Sequence, residues 1–135
     1  FLIKKFKSIL KSKEIGMHAH NNQQLAFSNT IEAIIHDANY VDGSIYGLGR
    51  AAGNCPTELL LGFLKNPKYD IRPILDVISK EFVPLRQKLE WGYVIPYAIT
   101  GILDEHPKTA MALRESNKKE DYREFYEGFL GDDTD

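Results

Sequence analysis

The chain has only one cysteine, one tryptophan and two methionines in 135 residues. A single thiol, Cys55, excludes an internal disulfide and agrees with a cytoplasmic setting. No charge sign dominates: seventeen Lys and Arg stand against nineteen Asp and Glu, a net charge of −2. With no basic excess and no segregation by half, nucleic acid is not an expected partner. Apolar runs of membrane-spanning length are missing, as is the apolar core of a signal peptide. The basic stretch "FLIKKFKSILKSK" instead spaces Leu2, Ile3, Phe6, Ile9 and Leu10 on one helix face, expected to run to about Lys13 and to cover a sheet. Repeats and low-complexity tracts are absent too. What remains, 43% hydrophobic and 27% charged, is the composition of one globular domain long enough to bury a core.

Periodicity organises the first half. In "EIGMHAH", Ile15, Met17 and Ala19 alternate with Gly16, His18 and His20, which predicts a strand. Phe27, Ile31, Ile34, Ile35 and Ala38 then recur at helical spacing, with Asn29, Glu32 and His36 opposite. A second strand is expected in "YVDGSIYG", followed by the glycine loop "GLGRAAGN" and a helix opened by Pro56-Thr57 and ended near Leu64 by Asn66-Pro67. Strands alternating with helices form parallel βαβ units. A parallel sheet is covered on both faces, so two strands imply partner strands. The start on Phe1, inside a helical pattern, reads the same way, as a piece of something larger. From Tyr69 onward Pro73, Pro84, Pro96 and Pro107 punctuate short helices. Tyr122, Phe125, Tyr126, Phe129 and Leu130 then form an aromatic stripe for docking on the fold or on a partner protein. The expected organisation is an α/β region over 1–66, a helical extension over 67–130 and an acidic tail over 131–135.

Two features carry chemistry. His18 and His20, two apart on a strand, project from one face with Cα atoms about 6–7 Å apart. Two imidazoles can converge from there on one ion, although an isolated H-x-H is more often a pair of hydrogen-bonded polar residues. The loop "GLGRAAGN" follows a strand, but its third glycine falls one residue late for a dinucleotide fingerprint. It is expected to approach a ligand closely through Gly47, Gly49 and Gly53. Asn54 offers either a hard oxygen ligand or an N-cap for the next helix.

These two segments, "GMHAHNNQQLAFSN" and "VDGSIYGLGRAAGN", resemble the last two strand–helix units of the metal-dependent aldolase, lyase and condensing-enzyme superfamily of TIM barrels. The likeness is strongest to its 4-hydroxy-2-oxovalerate aldolase branch, through "GNCPTELLLGFL" and "GYVIPY". It is specific over Gly16 to Leu64 and looser to about Leu113. It implies the C-terminal part of a (β/α)8 barrel followed by a helical extension, with His18 and His20 as metal ligands and Asn54 beside them. Tyr97, or alternatively Tyr93, matches a substrate-contacting tyrosine. The implied ion is Mn²⁺ or Mg²⁺, with Zn²⁺ or Co²⁺ as substitutes, and the implied reaction makes or breaks a C–C bond next to a 2-oxo acid, with an aldehyde as the other partner. A partner dehydrogenase or a second copy of the chain could dock on the C-terminal helices.

Departures from the family qualify the match. Gln24 replaces a glycine common in condensing enzymes, and Arg50-Ala51-Ala52 replaces the Glu-Arg-Ala of isopropylmalate synthases, so an acyl-CoA-dependent synthase or lyase is the weaker alternative. A non-catalytic, partner-binding role is the third. The family's aspartate ligand, arginine and catalytic histidine would precede Phe1, so this stretch alone is expected to be inactive. His36 and His106 do not replace that histidine. Cys55 is expected to be a buried thiol, Glu58 a first-turn helix carboxylate and Asp42 a hydrogen-bonded barrel carboxylate.

Overall fold

The computed structural model describes residues 2–131. Helix α1 (Leu2–Ile9) leads to strand β1 (Gly16–Met17), helix α2 (Ala26–Ile35) and strand β2 (Tyr40–Val41). A 3₁₀ turn over Ile45–Gly47 precedes α3 (Thr57–Leu64). Then come α4 (Arg72–Val77), a π-helical turn (Ile78–Phe82), α5 (Val83–Arg86), α6 (Ile95–Ile102), α7 (Lys108–Glu115) and α8 (Tyr122–Leu130). The two strands pair in parallel, Gly16 with Tyr40 and Met17 with Val41, as expected of a βαβ unit. Among the described residues they form the one sheet, and no helix is long and apolar enough to cross a membrane.

Several expectations shift in detail. Helix α1 ends at Ile9 rather than near Lys13 and buries only Ile3, which packs with Ile15 and Ala33. The face of α2 that packs hardest is Ala26, Thr30 and Ala33, one residue round from the predicted stripe, while Ile35 is 63% exposed. Small residues let the helix axis come close to the sheet, and Phe27 and Ile31 fill its flank. The Thr30 hydroxyl pairs with the Ala26 carbonyl at 2.7 Å, so its burial leaves no unpaired donor.

The second strand is also shorter than "YVDGSIYG" suggested. Its ladder extends to Asp42, whose N–H donates to the Met17 carbonyl at 2.9 Å. Beyond Ser44 the chain turns, with Tyr46 in the left-handed region at φ 56°. A left-handed tyrosine persists only where its surroundings hold it. Here Glu58 accepts its N–H at 3.0 Å, Trp91 Nε1 donates to its carbonyl at 2.9 Å, and its ring meets Trp91 edge-on. Arg86 lies over both rings.

The core has two parts that matter for the site. Ala19, Ala26, Cys55 and Leu60 join β1, α2 and α3. Ala51, Ala52, Tyr97 and Ala110 join the glycine loop to α6 and α7, with Phe125 of α8 packed against them. Helices α6 to α8 therefore grip the loop directly, and Gly92 N–H donates to the Ala51 carbonyl at 3.1 Å. Pro73, Pro84 and Pro96 sit in the first turns of α4, α5 and α6, and Pro107 immediately precedes α7, positions that need no amide donor. The stripe on α8 docks through Phe125, stacked edge-on with Phe129, and leaves Leu130 half exposed. The acidic tail lies, from Asp132 on, outside the described residues, as does Phe1.

Candidate metal centre

Strand parity sets the first half of the site. Ile15 and Ala19 are buried and Met17 is half-buried, so Gly16, His18 and His20 face outward, as the alternation predicted. Parallel pairing of Met17 with Val41 brings the next residues side by side on the same face. His18 Nδ1 accordingly lies 3.3 Å from Asp42 Oδ2. Asp42 is thus more than a barrel carboxylate hydrogen-bonded somewhere in the wall: its partner is one of the two histidines.

The glycine loop sets the second half. It runs back against the end of β1 as an antiparallel bridge between His20 and Asn54. Asn21 N–H donates to the Gly53 carbonyl at 3.0 Å, and Cys55 N–H to the Ala19 carbonyl at 3.2 Å. Those bonds flank the His20–Asn54 pair, which makes it the closely approaching, non-hydrogen-bonded kind with side chains together. Asn54 Oδ1 lies 3.1 Å from His20 Nδ1, and Asn54 Nδ2 donates to the Leu48 carbonyl at 3.1 Å. A carbonyl only accepts, so the Leu48 contact fixes which end of the carboxamide faces His20. An amide oxygen only accepts as well, so Nδ1 of His20 is the donor in this contact.

The N-cap role considered for Asn54 is overturned: Pro56 occupies that position of α3, with no side-chain cap. The expectation that Gly47, Gly49 and Gly53 make room for a ligand is corrected too. A Cβ on Gly53, at φ 78°, would stand 2.2 Å from the Gly47 carbonyl oxygen, and one on Gly49 would stand 2.6 Å from Asn54 Nδ2. These two glycines make room for the loop's own backbone and for the Asn54 side chain.

The two imidazole rings stand 4.9 Å apart, centroid to centroid, at 82°. Both are exposed; Nδ1 of His20 is hydrogen-bonded to Asn54, and Nδ1 of His18 lies 3.3 Å from an Asp42 carboxylate oxygen. The donor set is chemically suited to a divalent ion: two imidazoles side by side, with a carboxamide oxygen alongside. Among the described residues no three His, Cys, Asp or Glu side chains converge on one point, so a further carboxylate is not part of this cluster.

The other candidates have partners of their own. The Tyr97 hydroxyl donates to Glu90 at 3.4 Å, in a depression shared with Arg50 and Arg114. Burial pushes the Tyr97 phenol above its ordinary value, and Glu90 adds to the effect. Glu90 itself is held low by Arg114, which donates to both carboxylate oxygens. Tyr93 is exposed beside Arg86 and Trp91. His36 pairs with Glu32 at 2.9 Å, and His106 Nδ1 accepts the Lys108 N–H. Cys55 is fully buried, and desolvation pushes its thiol up, as a structural thiol requires. Glu58 stands in the first turn of α3 and also caps the strained Tyr46.

Sequence reading missed two contributors. Asp42 was visible as a strand residue, but only the register Met17–Val41 assigns it to His18. Trp91 carried no local signal; it is 3% exposed and binds the loop from 45 residues away.

Comparison with known proteins gives the following matches. The HMGL-like family model matches residues 1–79. A 4-hydroxy-2-oxovalerate aldolase from Thermomicrobium roseum is 37% identical over 99 residues, 64% of this chain and 28% of that protein. One from Carboxydothermus hydrogenoformans is 44% identical over 77 residues, 54% of this chain and 23% of its own length. The chain thus spans about a quarter of the curated relatives it matches. The crystal structure of the N-terminal domain of a candidate aldolase from Bacteroides vulgatus superposes with a TM-score of 0.70 at 33% identity, over 84% of this chain and 41% of that one.

Proposed function

The chain belongs to the HMGL-like family, and from that premise we propose that it forms the metal-binding segment of a divalent-metal-dependent aldolase acting on a 4-hydroxy-2-oxo acid. The observation that carries the proposal is the imidazole pair, with rings 4.9 Å apart and an oxygen beside each Nδ1. His18 and His20 then offer Nε2 to the ion. Asn54 completes the proposed donor set, since Oδ1 has a second lone pair beyond the one facing His20. Imidazole and oxygen donors with open positions suit Mn²⁺ or Mg²⁺, with Zn²⁺ or Co²⁺ as substitutes. A bound ion supplies Lewis acidity, which stabilises negative charge developing on the keto oxygen of a 2-oxo acid such as pyruvate.

The residues of this chain hold and orient. Asn54 orients the His20 ring, and Trp91 and Tyr97 brace the loop that carries Asn54. Tyr97, or Tyr93 in its place, is the proposed contact to the aldehyde or alcohol oxygen. The aldolase branch is preferred because the loop reads Arg50-Ala51-Ala52 where acyl-CoA-using synthases carry Glu-Arg-Ala. We assign residues 1–66 to the last two strand–helix units of a (β/α)8 barrel and 67–130 to a helical extension. The rest of that barrel would supply the carboxylate ligand and the base. A cytoplasmic home, and a dehydrogenase or second copy docked on the C-terminal helices, belong to the same proposal.

The test is hydrogen–deuterium exchange at the pyruvate methyl group in D₂O, followed by NMR with Mn²⁺ and the full-length protein. Exchange that disappears in His18→Ala and His20→Ala is the expected result. No exchange with pyruvate, but exchange with an acyl-CoA donor, would move the protein to the synthase and lyase branch. Failure with both would leave a partner-binding role.

A further inference from the structure

We propose that Asp42 is the positioning residue of His18: its carboxylate accepts the Nδ1 proton and so fixes both the tautomer and the ring angle that present Nε2 to the metal. The inference rests on the metal-binding reading above and adds a residue to it.

Three observations meet here. The first is the contact itself, Asp42 Oδ2 to His18 Nδ1 at 3.3 Å. The second is that the backbone enforces it. Asp42 N–H donates to the Met17 carbonyl at 2.9 Å, so the residue is anchored directly beside the strand that carries His18. The third is the match to His20, whose Nδ1 faces Asn54 Oδ1 at 3.1 Å. Two histidines from one strand each meet an oxygen acceptor at the same ring nitrogen, one from β2 and one from the glycine loop. A ring with Nδ1–H so engaged has one donor lone pair left, on Nε2, and a carboxylate acceptor raises the basicity of that nitrogen. Without the acceptor an imidazole divides between two tautomers and rotates about its side-chain bonds, and both losses fall on metal affinity. As placed, Asp42 is not a third ligand of this cluster, since no three of the described His, Cys, Asp and Glu side chains converge. Its side chain is 67% exposed, so substitution removes an orienting contact and little else.

The experiment uses the full-length protein and two readouts. Long-range ¹H–¹⁵N NMR of the metal-free protein reports the His18 tautomer, and titration with Mn²⁺ followed by electron paramagnetic resonance reports affinity. Asp42→Ala is expected to shift His18 from the Nδ1–H form toward the Nε2–H form and to weaken Mn²⁺ binding about 10- to 100-fold. Asp42→Asn, whose amide oxygen accepts the same hydrogen bond without the charge, is expected to keep the tautomer and to recover part of the affinity. His18→Ala is the reference for removal of a ligand and must lose more than Asp42→Ala. An Asp42→Ala variant that keeps the tautomer and the affinity, while His18→Ala loses binding, overturns the role of Asp42 alone. A loss in Asp42→Ala equal to that of His18→Ala also overturns it, because Asp42 would then be a ligand. Unchanged Mn²⁺ affinity in His18→Ala overturns the metal reading itself.

Discussion

Substituting alanine at two glycines of one loop separates the loop's folding from its chemistry. At Gly53 the backbone is left-handed, φ 78°, and an added Cβ would come 2.2 Å from the Gly47 carbonyl oxygen, which itself accepts the Asn54 N–H at 3.1 Å. An L-residue in that region costs about 1–2 kcal/mol, and a turn that opens to relieve the clash forfeits a hydrogen bond of about 1 kcal/mol. Gly53→Ala should therefore lose about 2–3 kcal/mol, a large share of the stability of an ordinary domain. At Gly49 the obstacle is a side chain: Asn54 Nδ2 at 2.6 Å and Cγ at 3.0 Å. The carboxamide can swing aside, breaking its contacts to Leu48 and His20, each 3.1 Å and each worth about 0.5–1.5 kcal/mol. Gly49→Ala should cost about 1–3 kcal/mol and weaken Mn²⁺ binding about tenfold or more, because Asn54 is both the proposed oxygen donor and the partner that orients His20. Urea denaturation followed by circular dichroism gives the first quantity and Mn²⁺ titration the second. Wild-type metal affinity in a folded Gly49→Ala variant would refute the role given to Asn54. A Gly53→Ala variant as stable as the wild type would refute the loop geometry.

Trp91→Phe leaves the Tyr46 carbonyl without its donor and should cost about 1–3 kcal/mol in the same denaturation assay; a change below about 0.5 kcal/mol would mean the loop needs no such brace. Cys55, fully buried and with its thiol pushed up, should resist iodoacetamide in the native protein and react only after unfolding; rapid native labelling would count against that packing. Glu90 is held below the ordinary glutamate value by Arg114, so the stability this pair contributes is full above that value and is lost as pH falls through the lowered one. Because Glu90 is 42% exposed, the contribution is about 0.5–1 kcal/mol, and Glu90→Gln should flatten the acid limb of a stability–pH profile by that amount.

Local pattern carried much of this structure. Alternation in "EIGMHAH" placed both histidines on the outer face, and proline positions located the starts of the helices in the extension. Pattern failed where the deciding contact was distant. The stripe on α2 was read from large apolar residues, but close approach to the sheet selected Ala26, Thr30 and Ala33. The second strand was overextended because nothing local announces a left-handed Tyr46, which is held by Glu58 and by Trp91 far along the chain. The glycines were legible as a constraint, but whether they make room for a ligand or for Asn54 depends on a bridge between two separated segments.

The same reasoning explains why the site depends on residues that touch no ligand. Slipping β1 by one position relative to its buried face would turn His18 and His20 inward and bring Met17 and Ala19 out. Burial of Ile15 and Ala19 opposes that slip, and the spacing of two between the histidines keeps both on whichever face the slip leaves. Pairing in register with β2 then delivers Asp42 to His18, and the return of the loop delivers Asn54 to His20. A paired-imidazole centre built this way is specified mainly by strand parity and register. The small apolar residues beneath the histidines therefore fix the placement of the two imidazoles, as do the oxygen groups beside them.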